Sequence, residues 1–397
     1  MQIHRRNWFF AGIFSFCAAS AASHAAEPWN WSGSFSKQAV DVLLVGDINV
    51  QKRADPAEVF AHVKPTLNAA DLVYGNLEGL LVKSAGPDKD IPDKSGWQHV
   101  GPEAVRALKA GNVTVVGVAN NVAYGRENIL QSLAVLDANH IAHTGGGANL
   151  EEAHWPAIVE RKGVKFGFLQ YTAKWYLEDH QIATANLPGV ARMLSMDGTR
   201  VDPADLNRMR EDIRRLRPLV DVIVVSSHNR EGLAGRTSEA RSKESRPARP
   251  QDLFSPIVLG KRFSEAEPYE RELAHAAIDA GADIVYGHGS HVVQAVEVYR
   301  GKPVLYCVGN FAMDWIRMRP NKEGLAIRLV VDRKKVARTS FVPLTRDEDN
   351  KVVMLDPGSG VGATLLEKVK SLSPGVPLEV DGREVVLTGR AGLSTRN

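Results

Sequence analysis

Six residues that can bind a divalent metal lie at or just after the ends of five stretches with the composition of buried strands. The stretches are residues 41–47, 71–78, 113–121, 222–228 and 284–291. The six residues are Asp47, Glu78, Asn121, His228, His288 and His291. Open α/β sheets bind ligands in the crevice at the carboxyl ends of their strands. We therefore expect these side chains to converge on one site.

The mixture of carboxylate, amide and imidazole groups indicates which ion the site would hold. Calcium prefers oxygen ligands alone, whereas this set suits a borderline divalent transition metal such as Mn, Fe or Zn. Six such ligands fit two metals better than one. Two metals that share a carboxylate can clamp an anionic substrate and lower the pKa of water. The pattern therefore favours a hydrolytic metal centre.

Each residue also has a common structural explanation when it is taken alone. An Asp after a strand, such as Asp47, often caps a helix or forms a turn, and an Asn such as Asn121 often begins one. A single buried His is usually a satisfied polar group. Three His at strand ends favour a metal, since Gly287 and Gly289 allow a tight turn that brings His288 and His291 together.

Strands that alternate with helices must position these side chains. Apolar runs predict strands at 40–45, 72–74, 113–118, 222–226 and 284–286. Helical spacing predicts helices at 56–69, 104–110, 127–138, 205–216 and 269–280, and a hairpin pairs 158–160 with 166–171. This alternation predicts an α/β fold with a largely parallel central sheet. After Val292 the strands are separated by short turns, which predicts an antiparallel second sheet or edge.

The N-terminus has the features of a secretory signal peptide over residues 1–25. Arg5 and Arg6 precede an apolar run at 8–22, and small residues follow it. We expect export with cleavage to the periplasm or the exterior, with an uncleaved membrane anchor as the alternative. No later stretch has membrane length. The remaining prediction is one domain at 40–344, followed by a C-terminal β extension or tail at 345–397.

The other bulk properties limit the partners. A formal net charge of +3 gives no reason to expect nucleic-acid binding. The segment 232–268 is long and charged, and Arg is dense from 230 to 249. That density indicates either a solvated loop or a rim that attracts an anionic substrate. Cys307 lies in the apolar run 304–308, which predicts a buried, unreactive thiol.

Several short motifs resemble the capsule-synthesis family of the poly-γ-glutamate, CapA-like type, which is similar to calcineurin-type metallophosphatases. They are Gly46-Asp47, Gly75-Asn76-Leu77-Glu78, Ala119-Asn120-Asn121, Gly145-Gly146-Gly147 with Glu151-Glu152-Ala153, Gly281-Ala282-Asp283 leading to His288 and His291, and Gly309-Asn310-Phe311. The resemblance covers residues from about 41 to about 343. It implies a four-layer α/β/β/α sandwich with a dinuclear site.

Carried over by position, the resemblance divides the six residues between two metals. Asp47, Glu78 and His291 would hold one of them. Glu78, Asn121, His228 and His288 would hold the other, with Glu78 as the bridge. His228 and Arg230 are the catalytic candidates, Arg230 as a guanidinium that stabilises developing negative charge.

The sequence departs from the family pattern next to Asn121. The family usually has a His and then an Asp after its paired Asn, and Val122 and Tyr124 stand there instead. Val cannot donate a proton, and the loss of a general acid typically costs about 100- to 10,000-fold in rate. Tyr124, His140, His143 or Arg230 are the residues that could replace it.

Two functions follow from this combination. The first is an exported, metal-dependent, phosphatase-like protein that acts in the synthesis or hydrolysis of an anionic capsule or envelope polymer such as poly-γ-glutamate. Its partners would be that polymer or a phosphoester, together with envelope-biosynthesis proteins. The alternative is a catalytically degenerate metal-binding protein that serves as a polymer-binding or assembly factor.

Overall fold

The computed structural model describes residues 28–29, 31–85, 91, 97–173, 175, 178–196, 198–229 and 266–388. The predicted signal peptide at 1–25 and the catalytic candidate Arg230 lie outside these residues, as does nearly all of the charged segment 232–268. Statements about the fold below refer to the described ranges.

Helices and strands alternate through most of the described chain. The α-helices are α1 (Lys64–Ala69), α2 (Val105–Ala110), α3 (Arg126–Ala138), α4 (Leu150–Ala153), α5 (Glu178–Gln181), α6 (Pro203–Leu216), α7 (Pro268–Ala280) and α8 (Gly360–Leu372). Short 3-10 helices lie at Pro56–Phe60, Pro102–Ala104 and Arg217–Leu219. The strands are β1 (Val40–Asn49), β2 (Leu72–Leu77), β3 (Val113–Gly117), β4 (Ala142–Thr144), β5 (Gly146–Gly147), β6 (Ala157–Arg161), β7 (Val164–Thr172), β8 (Gly189–Val190), β9 (Ser195–Met196), β10 (Arg200–Val201), β11 (Val222–His228), β12 (Ile284–His288), β13 (Val296–Tyr299), β14 (Lys302–Leu305), β15 (Asn310–Met313), β16 (Gly324–Asp332), β17 (Lys335–Arg346), β18 (Val352–Met354), β19 (Leu378–Asp381) and β20 (Glu384–Leu387).

Two large sheets organise the described part of the chain. The first has ten strands, in the order β19-β20-β17-β16-β1-β2-β3-β4, with β15 paired to β1 and β18 paired to β17. The second has six strands, in the order β13-β14-β12-β11-β7-β6. Strands β1 to β4 are parallel to one another, and so are β7, β11, β12 and β14. Two-stranded pairs join β5 to β8 and β9 to β10.

The two sheets pack face to face, because their strands are apolar on both sides. In β1, Val42 and Leu44 point into the core between the sheets, whereas Leu43 and Val45 point to the outer face. Aromatic rings fill the inner core, where the ring centroids of Tyr74 and Phe168 lie 4.7 Å apart. A strand buried on both faces needs a continuous apolar run, which is the pattern seen in the sequence.

Helices cover the outer face of each sheet. The apolar sides of α2 and α3 pack on the first sheet, and those of α6 and α7 pack on the second. Leu133 of α3 and Met209 of α6 are typical of these buried helix faces. The layers therefore run helix, sheet, sheet, helix, and the predicted four-layer α/β/β/α sandwich is confirmed.

One local expectation was wrong, and another is resolved by the structure. The helix expected over 56–69 is interrupted, with a 3-10 helix at Pro56–Phe60 and α1 beginning at Lys64. Pro65 explains the break, because its ring clashes with the carbonyl four residues earlier and it lacks an N–H donor. For the strands after Val292, predicted to form an antiparallel second sheet or edge, the structure shows the edge alternative. β13 and β14 extend the second sheet, and β16 and β17 extend the first, with antiparallel pairing within each pair.

The C-terminal part of the described chain adds to the same layers. β18 and β20 pair with β17, and α8 packs Leu365, Leu366 and Val369 on the inner core. None of the described helices combines the length and the apolarity that crossing a membrane requires. The buried thiol predicted at Cys307 is confirmed, and burial raises its pKa to about 12.

Candidate metal centre

The carboxyl ends of parallel strands bring the six candidate residues to one region. Asp47 lies near the end of β1, Glu78 directly follows β2, and Asn121 comes four residues after β3. His228 and His288 are the last residues of β11 and β12, where they pair in register. His291 follows in the turn after β12. All six side chains are buried.

Glycines let the backbone come close enough to build this region. A Cβ at Gly46 would lie 2.1 Å from the carbonyl oxygen of Gly309, which stands just before β15. Gly289 has a φ of +101°, and a Cβ there would lie 2.9 Å from Nε2 of His228. Only glycine therefore fits at position 289 without displacing a candidate ligand.

The first group of convergent ligand atoms comes from Asp47, His228 and His288. Oδ1 of Asp47 lies 3.5 Å from Nδ1 of His288 and 4.0 Å from Nδ1 of His228. The two Nδ1 atoms are 3.0 Å apart. Nε2 of His228 lies 2.9 Å from Oδ1 of Asn121, which joins the amide to this group.

The second group comes from Asp47, Glu78 and His291. Oδ2 of Asp47 lies 3.4 Å from Nδ1 of His291, and Nε2 of the same ring lies 3.8 Å from Oε1 of Glu78. In each group, one ligand atom per residue lies within 4.8 Å of the others. The carboxylate common to both groups is that of Asp47, whereas the resemblance assigns the bridge to Glu78.

This donor set fits divalent transition metals. Ligand atoms bonded at about 2.1 Å to one ion lie roughly 3–4 Å from each other, which is the range of the carboxylate–imidazole separations here. Burial and then the nearby His291 lower the pKa of His288 to about 3, so its ring is neutral, as a metal ligand must be. Nε2 of His288 is buried and has no hydrogen-bond partner among the described residues.

Amide side chains hold the candidate ligands in place. Nδ2 of Asn76 donates to Oδ1 of Asp47 at 2.7 Å, and Nδ1 of His291 donates to Oδ1 of Asn310 at 2.8 Å. Gln170 lies behind them and donates to Oδ1 of Asn76 at 2.8 Å. Such partners fix the orientation and tautomer of metal ligands.

These supporting residues were not identified from the sequence, although signals for them were present. Asn76 and Asn310 belong to the motifs that carried the family resemblance, but they were given no role of their own. Gln170 interrupts the apolar strand β7 with a buried amide. A buried amide at such a position signals a polar network, because an unpaired buried polar group is costly.

The position at which the resemblance implies a general acid belongs to an apolar cluster. Val122 and Tyr124 are buried in it together with Ile91, Trp97, Met313, Trp315 and Met318. The ring of Tyr124 stacks on His180, with the centroids 5.4 Å apart. Among the described residues that could replace the general acid, Tyr124 is the nearest in sequence to Asn121, and its ring lies in apolar surroundings.

Two other proposed replacements lie elsewhere in the fold. His143 is in the edge strand β4, paired in register with Val116, and its ring contacts Asp137 at 3.1 Å. His140 is exposed just before that strand. In the sheet, both residues therefore lie before the level at which β3 ends, whereas Asn121 lies beyond that end. Arg230 lies outside the described residues.

A cavity of about 710 Å³ lies away from the candidate ligands. It is lined by Asp283 and Lys302, which precede or begin strands of the second sheet, and by residues of β17 and β20. The amino ends of parallel strands face away from their carboxyl ends. This cavity is therefore separate from the region that holds the six residues.

Comparison with known proteins gives a family match over most of the chain. The family described as bacterial capsule synthesis protein PGA_cap matches residues 39–246 and 258–315, which include all six candidate ligands. The PGA biosynthesis protein CapA of Bacillus subtilis (strain 168) is 28% identical over 304 residues, which cover 72% of this chain and 67% of that protein. The capsule biosynthesis protein CapA of Bacillus anthracis is 25% identical over 324 residues, which cover 77% of this chain and 67% of that protein. A solved structure of a phosphatase from Mycoplasma pneumoniae is 12% identical, with a TM-score of 0.43, and covers 77% of this chain and 94% of that chain.

Proposed function

This chain belongs to the bacterial capsule synthesis protein PGA_cap family, and from that premise we propose that it is an exported, metal-dependent hydrolase. Its substrate would be an anionic capsule or envelope polymer such as poly-γ-glutamate, or a phosphoester met during its synthesis. The observation that carries the proposal is the convergence of Asp47, Glu78 and three buried histidines.

We assign the metal-holding role to the six convergent residues. They are Asp47, Glu78, Asn121, His228, His288 and His291. Divalent transition metals, two of them, would supply Lewis acidity toward an anionic oxygen of the substrate. We propose Mn, Fe or Zn, because imidazole and carboxylate ligands are combined.

The chain's own residues orient this set and hold its protons. His291 keeps its proton on Nδ1, where it donates to Oδ1 of Asn310, and its Nε2 therefore faces Glu78 with a lone pair. His228 donates from Nε2 to the oxygen of Asn121. Asn76 holds one oxygen of Asp47, which fixes the carboxylate shared by the two groups.

The test measures metal and turnover on the same preparation. The mature protein is purified from its native compartment, its metal content is determined, and hydrolysis of an aryl phosphate and of a γ-linked glutamate polymer is followed. We expect bound transition metal and hydrolysis of at least one substrate. The Asp47→Ala, His291→Ala double variant should lose both. The matched control is Asp137→Ala, His140→Ala, which alters exposed residues.

A second function is favoured by one observation, the apolar cluster around Val122. Where the family usually has a proton donor, this chain has a buried aliphatic side chain. The alternative is therefore a metal-containing protein that binds or assembles the polymer without cleaving it. Bound metal without hydrolysis of either substrate would support this alternative. A preparation without transition metal would contradict both functions.

A further inference from the structure

A small basic depression lies just past the ends of β1 and β15. It measures about 180 Å³ and is lined by Gln51, Lys52, Asp314, Trp315, Ile316 and Arg319. Ligand sites for whole small molecules occupy roughly 300–1,000 Å³, so this depression suits a single side group.

Cationic side chains outnumber carboxylates at this place. The buried carboxylate of Asp314 is bound through both oxygens by Arg53, at 2.7 Å each. Arg319 lies 3.9 Å from the same carboxylate, with its side chain 47% exposed. Lys52 is exposed and makes no ion pair with any described residue. Because Arg53 already neutralises Asp314, Lys52 and Arg319 leave a positive charge at the surface.

A further guanidinium lies behind the depression. Arg346 is buried, and it donates to Asn350, whose amide in turn donates to Oδ1 of Asp314 at 2.8 Å. Nη1 of Arg346 has no hydrogen-bond partner among the described residues. Burial, together with the charges of Arg319 and Arg53, lowers the pKa of Arg346 to about 10 even though Asp314 opposes the shift. The region therefore holds more positive charge than its own carboxylate compensates.

The depression is connected to the metal centre by short hydrogen bonds. Nε2 of Gln51 donates to Oδ1 of Asn49 at 2.8 Å, and Nδ2 of Asn49 donates to the carbonyl oxygen of Glu78 at 2.7 Å. Gln51 lies four residues after Asp47, which corresponds to about 13 Å along an extended chain. One end of a polymer could therefore reach the depression while a neighbouring unit lies at the candidate ligands.

We propose that this depression binds a carboxylate of the anionic polymer, held by Lys52 and Arg319, so that the chain is presented to the metal centre. Trp315 and Ile316 give the depression an apolar wall, which suits a carboxylate carried on methylene groups better than a bare phosphate. The proposal rests on the proposed function for its substrate class and adds the residues that recognise it.

The test compares two double variants that lose the same charge. The Lys52→Gln, Arg319→Gln variant removes the exposed cations of the depression, and Arg214→Gln, Arg215→Gln removes two exposed cations of α6. The dissociation constant for a γ-linked glutamate oligomer is measured by calorimetry on the full chain at fixed ionic strength. We expect about a 10-fold or greater loss for the first variant and less than about a 2-fold change for the control.

Equal affinities in the wild type and both variants would overturn the proposal, and so would equal losses in both variants. Inorganic polyphosphate is titrated in parallel. If the Lys52→Gln, Arg319→Gln variant loses affinity for polyphosphate only, the carboxylate assignment is overturned and the depression is a phosphate site. We expect unchanged thermal unfolding of each variant, because Lys52 and Arg319 lie at the surface. That result excludes misfolding as the cause of a lost affinity.

Failure of the proposed function can be told apart from failure of this inference. In the Asp47→Ala, His291→Ala background, the added Lys52→Gln, Arg319→Gln substitutions should still lower the affinity for the glutamate oligomer by the same factor, because the depression does not include Asp47 or His291. If the wild type shows no metal or turnover but the Lys52→Gln, Arg319→Gln variant still loses affinity, the binding site stands alone. If the wild type holds metal and turns over substrate, but the Lys52→Gln, Arg319→Gln variant keeps the wild-type affinity, the proposed function stands without this binding site.

Discussion

His228 and His288 end neighbouring parallel strands in register, with their Nδ1 atoms 3.0 Å apart and Oδ1 of Asp47 beside both. His228 donates from Nε2 to Asn121, so its Nδ1 can only accept when the ring is neutral, and His288 must donate from Nδ1. The remaining Nε2 of His288 then carries a buried lone pair without a donor among the described residues. A bound cation would give this buried lone pair a partner.

The shared carboxylate gives a prediction that separates the two ligand groups. Asp47→Asn should weaken metal binding in both groups, whereas Glu78→Gln should weaken only the group that contains His291. We expect Asp47→Asn to lose nearly all bound metal and Glu78→Gln to keep part of it. Metal content by mass spectrometry after dialysis checks this. The control is Asp137→Asn on the exposed end of α3, and equal metal loss in Asp47→Asn and Glu78→Gln would contradict the prediction.

Asn310 should matter for the metal although it is not itself a proposed ligand. Its Oδ1 accepts the proton from Nδ1 of His291, so Asn310→Ala frees the ring to rotate and to change tautomer. Loss of such a partner typically costs about 10- to 100-fold in metal affinity. Competition with a chelator measures the change. Asn207→Ala, on the solvent side of α6, is the control, and an unchanged affinity in Asn310→Ala would refute the positioning role.

The sequence was sufficient for the parts of the fold that depend on local pattern. Apolar runs that end in polar residues gave β1, β2, β3, β11 and β12 and the residues at their ends. The sequence did not show that β13 and β14 join one sheet while β16 and β17 join the other. Short turns identify antiparallel neighbours, but they do not show which sheet each pair extends.

The candidate site was predictable to the same extent. Residue types and strand ends were enough to select the six candidate ligands. Which carboxylate lies between the two groups depends on how the two sheets face each other, and this is a tertiary property that no spacing encodes. The partners Asn310 and Gln170 come from other strands, so the sequence could mark them as buried polar residues but could not show which ligands they contact.

Val122→His tests whether the apolar cluster suppresses catalysis. The imidazole would supply a proton donor directly after Asn121, and turnover should rise by about 10-fold or more if that group is what the site lacks. Burying the polar ring in the cluster should lower the free energy of unfolding by about 1–3 kcal/mol. The control is Val122→Asn, a polar substitution that cannot titrate. A rise in turnover common to both variants would show that proton donation is not the cause.

Glu270 should make the stability depend on pH. Burial raises its pKa from 4.5 to about 8. The folded protein keeps this proton while the unfolded chain has lost it, so the contribution is complete below about pH 4.5 and declines as the pH rises to about 8. In Glu270→Gln the amide oxygen can still accept the hydrogen bond from the backbone N–H of Glu267.

Urea unfolding of the wild type and of Glu270→Gln at several pH values between about 5 and 8 measures the effect. The stability of the variant relative to the wild type should increase by about 1 kcal/mol for each pH unit in this window. Glu211→Gln, an exposed carboxylate on α6, should show no such trend. A pH-independent difference between Glu270→Gln and the wild type would mean that Glu270 is already ionised in the folded protein.

Gln170 should support both the fold and the candidate metal centre, because it bonds to both sheets. It donates to Asn76 and to the carbonyl oxygen of Ala119, and its own oxygen accepts from the hydroxyls of Tyr74 and Ser226. Gln170→Leu removes all four of these buried hydrogen bonds, although Tyr74 and Ser226 still bond to each other and Oδ1 of Asn76 still accepts from Asn120. Since each buried hydrogen bond contributes about 0.5–1.5 kcal/mol net, the free energy of unfolding should fall by about 2 kcal/mol or more.

The same substitution should also weaken metal binding, because Gln170 holds Asn76 and Asn76 holds Asp47. Urea unfolding of the metal-free protein measures the first effect, and metal affinity of the folded protein at low temperature measures the second. Gln131→Leu on the exposed side of α3 is the matched control. If Gln170→Leu lowers stability but leaves metal affinity unchanged, Gln170 is a core residue only, and Asp47 is oriented by Asn76 without its help.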